Sequence, residues 1–149
     1  MKRAYLFFPQ ILGLLAGVGV AWLHEINIFR CEYEILEYII TVDSIVLGVV
    51  TLTLTIIMTI RDAKIYRKAK ERRPEIIQQI YDYSTSALFS SIISIIVSIL
   101  ILLAKEQIEK NNYMKIGAIL LSVFFFVKML AAAVLSYWQS IQLLRLDDE

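Results

Sequence analysis

The sequence predicts an all-α integral membrane protein, a four-helix bundle with a cytoplasmic helical hairpin between its second and third spans. Three observations carry that prediction. First, 58% of the 149 residues are hydrophobic and 19% are charged, whereas a soluble domain is nearer to about 45–50% apolar and 25% charged. Second, the charges avoid four long runs. Ala4 to Leu23 has none, Asp43 alone interrupts Glu37 to Arg61, Tyr83 to Ala104 has none, and Lys128 alone falls between Ile116 and Leu144. Third, these runs are continuous rather than alternating. A bilayer core about 30 Å thick takes about 20 apolar residues as a helix, and a helix satisfies its own backbone in lipid, whereas barrel strands alternate apolar with polar residues. With 1 Cys, 5 Gly and 2 Pro, the composition excludes a disulfide scaffold, a collagen-like chain and a disordered tail. A net charge of +1 recruits no nucleic acid through a global field.

The spans fall near 5–23, 39–60, 85–104 and 116–137 of a single membrane domain, 1–149, with the hairpin at 61–84. Met1, Lys2 and Arg3 ahead of the first run, with the small pair Gly19 and Ala21, also fit a secretory signal, but the run is long for one. Its Gly13, Gly17 and Ala21 recur every four residues and form a seam for close helix approach. Cys31, in the loop that follows, has no intrachain partner and is either a spare thiol or a link between two copies. The second span carries Ser44, Gly48, Thr51, Thr55 and Thr59 on one helical face. No turn signal follows it before Arg73, so it is expected to run on as a charged helix. Pro74 suits the first turn of the next helix, with Glu75 near the positive end of its dipole. Ile76, Ile77, Ile80 and Tyr81 then lead into the third span, and the hairpin should protrude about 15–20 Å by helix rise. The third span has Ala87, Ser91, Ser94 and Ser98 on one face with Ser86 and Ser90 beside it. The fourth has Gly117, Ser122, Ala131 to Ala133 and Ser136.

Lysine and arginine set the orientation. Lys2, Arg3, the seven basic residues of the 61–73 stretch and Arg145 place ten on one side, against four, Arg30, Lys105, Lys110 and Lys115, on the other. The positive-inside rule puts both termini and the 61–84 connection in the cytoplasm of an inner (plasma) membrane. Tyr5, Tyr81, Tyr83, Tyr137 and Trp138 fall at the expected inner interface, and Trp22, Tyr38 and Tyr113 at the outer one, where amphipathic rings settle.

Three groups of residues are candidates for function. Arg61, Lys64, Arg67, Lys68, Lys70, Arg72 and Arg73, offset by Asp62 and Glu71, give the hairpin a local charge of +5. They either fix topology and attract anionic lipid or dock a cytoplasmic protein partner. The hydroxyls of Thr51, Thr55, Ser91, Ser94 and Ser98 either let helices approach or line a wet surface in an oligomer. Asp43, about one turn inside the outer boundary, and Lys128, about 18 Å from the outer end of its span by helix rise, are charges inside the bilayer and so functional candidates by default. Lys128 either snorkels on its long stem or bonds to hydroxyls, or else it serves an interior ion-handling role. A depth difference of about 12 Å by helix rise argues against a direct pair with Asp43.

Other chemistry is not encoded. The single His24 has no cysteine or helix-spaced carboxylate beside it, so no metal site and no cofactor are expected. No phosphate-cradling glycine loop or nucleophile elbow occurs, and no acid, base and orienting group converge, so the chain is not expected to be an enzyme. No nucleic-acid recognition module accompanies the basic cluster.

The segment from Asp43 to Leu103 combines a Ser/Thr-rich span, "DSIVLGVVTLTLTIIMTI", a basic hairpin, "RDAKIYRKAKERRPEIIQQIYDY", and a Ser/Ile-rich span, "STSALFSSIISIIVSILILL". It resembles small membrane proteins of bacterial phage-defence loci, including the four-span membrane subunit of Kiwa-type systems. The resemblance covers roughly 60 of the 149 residues. It implies a homo-oligomer that senses infection at the inner membrane or perturbs that membrane, with a cytoplasmic partner on the hairpin, and it carries over no site residues. The expected function is therefore a non-enzymatic antiphage component. The alternative is a small ion channel or pore.

Overall fold

A computed structural model describes residues 4–25, 33–59, 67, 71 and 73–145. Of these, 95% are helical and none is in a strand. A 3₁₀ turn, Ala4–Leu6, leads into α1, Phe7–Glu25. It is followed by α2, Glu34–Thr59, α3, Pro74–Leu103, and α4, Asn112–Arg145. All four are long and apolar enough to cross a membrane. α1 matches the expected span in length, shifted by two residues, and the other three overrun theirs, because hydropathy ends at the headgroups while the backbone hydrogen-bond ladder does not. The second span begins five residues before the expected 39, and the third is continuous with the segment from Pro74.

The helix ends follow from local chemistry. Pro74 occupies the first turn of α3, where its missing N–H is no loss, and Arg73 before it is kept out of the helical region at φ −144° and ψ 67°. Pro9 lies early in α1 for the same reason and is buried. After α3, the Ala104 N–H bonds to the Leu100 carbonyl at 3.0 Å, and a single helical turn, Lys105–Ile108, bridges to α4. Asn111 caps α4: its Oδ1 accepts the N–H of Tyr113 at 3.0 Å and of Met114 at 3.4 Å. The stretch expected to carry α2 onward as a charged hairpin lies largely outside the described residues. Within it, Arg67 and Glu71 are helical and exposed.

The helices do not close into a square. α4 packs most extensively on α3 and also carries α1, while α2 lies against α3 and touches α4 only sparsely. Thus α2, α3 and α4 form the core, and α1 flanks α4. A latch ties the start of α1 to α3: the Tyr5 hydroxyl donates to Asp82 Oδ2, the Tyr83 hydroxyl donates to the Tyr5 carbonyl at 3.4 Å, and the two rings meet edge-on at 5.5 Å.

Three apolar clusters stack along the core. Tyr33, Leu36, Ile39, Ile101 and Ile108 close one end. Val50, Ala87 and Ala132 form a thin middle. Ile57, Ile76, Ile77, Ile80 and Leu143 close the other end, where the expected stripe ahead of the third span finds its partners. Large apolar side chains such as Leu14, Leu15, Val49, Leu52 and Ile96 face outward, while among the described residues eight polar or charged ones, seven of them serines, are buried. Such an arrangement is unstable in water and suited to lipid, where packing and hydrogen bonds between small residues replace a hydrophobic drive.

Candidate intramembrane polar site

The polar interior arises from a seven-residue repeat. On α3, Ser84, Ser91 and Ser98 recur every seven residues, as do Ala87, Ser94 and Ile101, and all six are buried. On α2, Leu36, Asp43, Val50 and Ile57 recur at the same interval and are buried. A repeat of seven keeps one seam of a helix facing a neighbour. Asp43 therefore occupies a seam position whose other occupants on α2 are apolar, and α3 answers with serines.

The contacts confirm this register. Ser84 Oγ lies 2.6 Å from Ser136 Oγ, and Ser98 Oγ donates to Ser122 Oγ at 3.4 Å. The two pairs are fourteen residues apart on both helices, so α3 and α4 hold antiparallel register for about four turns. Ser140 donates to the Ser136 carbonyl at 2.9 Å. Ser91 Oγ donates to the Asp43 backbone carbonyl at 2.9 Å, which pins α2 to α3 at the aspartate.

Asp43 itself is 0% exposed. Neither carboxylate oxygen has a hydrogen-bond partner among the described residues, and the buried hydroxyls of Ser90 and Ser94 have none either. The Ser94 hydroxyl faces the carboxylate outside regular hydrogen-bond geometry. Asp43 lies about 4 Å from the midpoint of the apolar stretch Glu34–Ile57 by helix rise. Lys128 lies within about 1 Å of the midpoint of Asn112–Leu143 on the same measure.

Similar depth does not make them partners. Lys128 sits on the α1 side of α4. Its Cβ is 3.3 Å from where a Cβ on Gly13 would stand, and its ammonium lies 5.9 Å from the centre of the Phe125 ring. This is a cation–π contact, not an ion pair with Asp43.

The two hydroxyl stripes, each open in sequence to a packing or a pore-lining reading, point in different directions. Ser91, Ser94 and Ser98 are buried. Thr51 and Thr55 are exposed, and their hydroxyls bond back to the carbonyls of Leu47 at 2.7 Å and Thr51 at 2.9 Å. Ser44 and Thr59 behave alike. Gly13 and Gly17 do form a seam, against Phe124 and Leu120 of α4, whereas Gly117 meets nothing within 4 Å. Of the basic candidates, Arg67 and Arg73 are exposed. Arg61, Lys64, Lys68, Lys70 and Arg72 lie outside the described residues, as does Cys31.

Sequence reasoning missed two features. Ser84 was assigned to the connection, although extending the repeat by seven residues from Ser91 finds it. Tyr33 gave no signal at all. Its buried ring lies between the ammonium groups of Lys105 and Lys115, 5.0 and 5.1 Å from the ring centre. Burial, with the charge of Glu109 adding to it, raises its pKa above the ordinary 10.0.

Chemically, the site offers carboxylate and hydroxyl oxygens to a positively charged species in a dry interior. No three His, Cys, Asp or Glu residues converge among the described residues. An apolar groove of about 270 Å³, lined by Val46, Val50, Thr53, Ala133, Ser136 and Tyr137 among others, opens where α2 and α4 part. Comparison with protein-family models, curated proteins and solved structures finds no match to this chain.

Proposed function

We propose that the chain is a non-enzymatic, homo-oligomeric subunit of a bacterial inner membrane, with both termini cytoplasmic, that serves antiphage defence through the bilayer and a cytoplasmic protein partner. The resemblance of residues 43–103 supplies the defence setting, and the lysine and arginine asymmetry supplies the orientation. The observation that supports assembly is the outward face of α2. Ser44, Gly48, Thr51, Thr55 and Thr59 are all exposed. Their hydroxyls are satisfied by the helix itself, and a Cβ on Gly48 would meet nothing within 4 Å. Small, self-satisfied residues in a row let a second helix approach closely in lipid, and α2 stands at the edge of the core.

Gly48→Leu with Thr51→Leu should dissociate the oligomer in mild detergent, read by native mass, leave helix content intact and abolish protection against phage. An unchanged oligomer, or protection without one, overturns the reading. Charge reversal at Arg67, Lys68, Arg72 and Arg73 should weaken partner recruitment without preventing insertion, and unchanged recruitment removes the docking role.

A second reading, a small ion channel, draws on the buried serines. Because Ser91, Ser94 and Ser98 face the interior of one chain, permeation would follow that interior rather than an axis between copies. Current through reconstituted protein should then fall with Ser94→Leu and not with Thr55→Leu. A silent bilayer under several stimuli refutes it.

A further inference from the structure

We infer that Asp43 and Ser94 form a binding site for a small monovalent cation between α2 and α3. The site depends on neither functional reading above, since a bound ion can be structural, regulatory or permeant. Three observations combine. The carboxylate is fully enclosed, with both oxygens unpartnered. The Ser94 hydroxyl beside it, 0% exposed, and the Ser90 hydroxyl one turn away, 1% exposed, are unpartnered as well. Among the described residues no protein cation pairs with the carboxylate: α3 carries no charge between Asp82 and Lys105, α4 carries only Lys128 between Lys115 and Arg145, and that lysine is engaged on the α1 side. On α2 itself the nearest charge, Glu37, is exposed on another face.

An isolated carboxylate in a dry interior must be neutralised by whatever positive species can enter. A proton on one oxygen, with the Ser94 hydroxyl donating to the other, would still leave the buried Ser90 hydroxyl without a partner. A hard cation suits a set made only of oxygens, and a single carboxylate balances a single positive charge. The Ser91 bond to the Asp43 carbonyl holds the backbone in place, so the carboxylate is positioned before the ion arrives.

The test is thermal unfolding of the full chain in detergent micelles at constant ionic strength, exchanging N-methylglucamine chloride for LiCl, NaCl or KCl. Tm should rise and saturate with at least one inorganic ion, as it does for any ligand that binds only the folded state. Ser94→Ala should move the midpoint of that rise to about tenfold higher concentration. Asp43→Asn should remove the dependence while remaining folded, because a neutral amide needs no counter-charge. If Asp43→Asn does not fold, the wild-type titration and Ser94→Ala still decide. Equal Tm in all four salts overturns the site. So does a Tm that follows pH but not cation identity, which would mean a proton only, and so does ion dependence that survives in Asp43→Asn.

Discussion

One added methyl group tests how α1 is seated. A Cβ on Gly13 would stand 2.7 Å from the Phe124 carbonyl oxygen, 3.1 Å from Phe124 Cδ2 and 3.3 Å from Lys128 Cβ. Ordinary contact starts at 3.4 Å, so Gly13→Ala must push α1 away from α4 by about 0.7 Å at this point. The obstacle is backbone, which cannot rotate aside. Overpacking of this kind costs about 1–3 kcal/mol, and replacing a helical glycine by alanine returns up to about 1 kcal/mol. With the full helical gain returned, the expected net loss is about 0–2 kcal/mol, and the variant should stand about 1–3 kcal/mol below Gly17→Ala. Gly17 is the internal control, since a Cβ there meets only the Leu120 carbonyl at 3.8 Å. Gly17→Ala keeps the helix gain without the clash and should be at least as stable as the parent chain. Reversible unfolding in mixed micelles, titrated with SDS and followed by circular dichroism, compares the two chemically identical changes. If Gly13→Ala matches Gly17→Ala, or exceeds the parent, α1 does not rest on α4 through this notch.

Three further outcomes are expected. Ser136→Ala should cost about 1 kcal/mol, and a double-mutant cycle with Ser84→Ala should return a coupling near 0.6 kcal/mol, about the average for interhelical hydrogen bonds in membranes; zero coupling would dissolve the pair. Asp43→Asn and Lys128→Met should be additive within about 0.5 kcal/mol, because the two residues share no partner, and a larger coupling measured by the same unfolding assay would show that they interact. Tyr33 should ionise above 10.0; its raised folded value means that its contribution to stability is complete below 10.0 and falls away as pH rises through that folded value. Tyr33→Phe should therefore delete a late-ionising phenol from an ultraviolet titration and extend alkaline stability, and loss of an early-ionising one would contradict the burial.

The spans were legible because lipid permits little else: a stretch such as Tyr83 to Ala104, without a charge, has no other comfortable conformation in a bilayer. The Gly13 and Gly17 seam was legible for a related reason, since close approach in lipid needs small residues at helical spacing, but nothing in the spacing named α4 as the partner. The serine and threonine stripes looked equivalent in sequence and proved opposite. A threonine such as Thr55 satisfies its hydroxyl on its own helix and can face outward, whereas Ser91 and Ser98 reach across to other helices. Only the placement of neighbouring helices separates these cases. Glu34 and Glu37, which hydropathy leaves outside the second span, belong to its helix, because the backbone ladder continues past the apolar run. The Tyr5–Asp82 latch joins residues 77 apart, and local pattern carries no trace of it.

The seating of α1 on α4 sets an order of events during synthesis. The first span is made at the start, yet the surface that receives its Gly13 notch, at Phe124 and Lys128, emerges about 110 residues later. At about 5–20 residues per second, the interval is roughly 6–20 s. Throughout it the notch faces acyl chains or the insertion machinery. The first span must therefore find its place in the membrane on its own greasiness, well before its partner surface on α4 exists to correct an error.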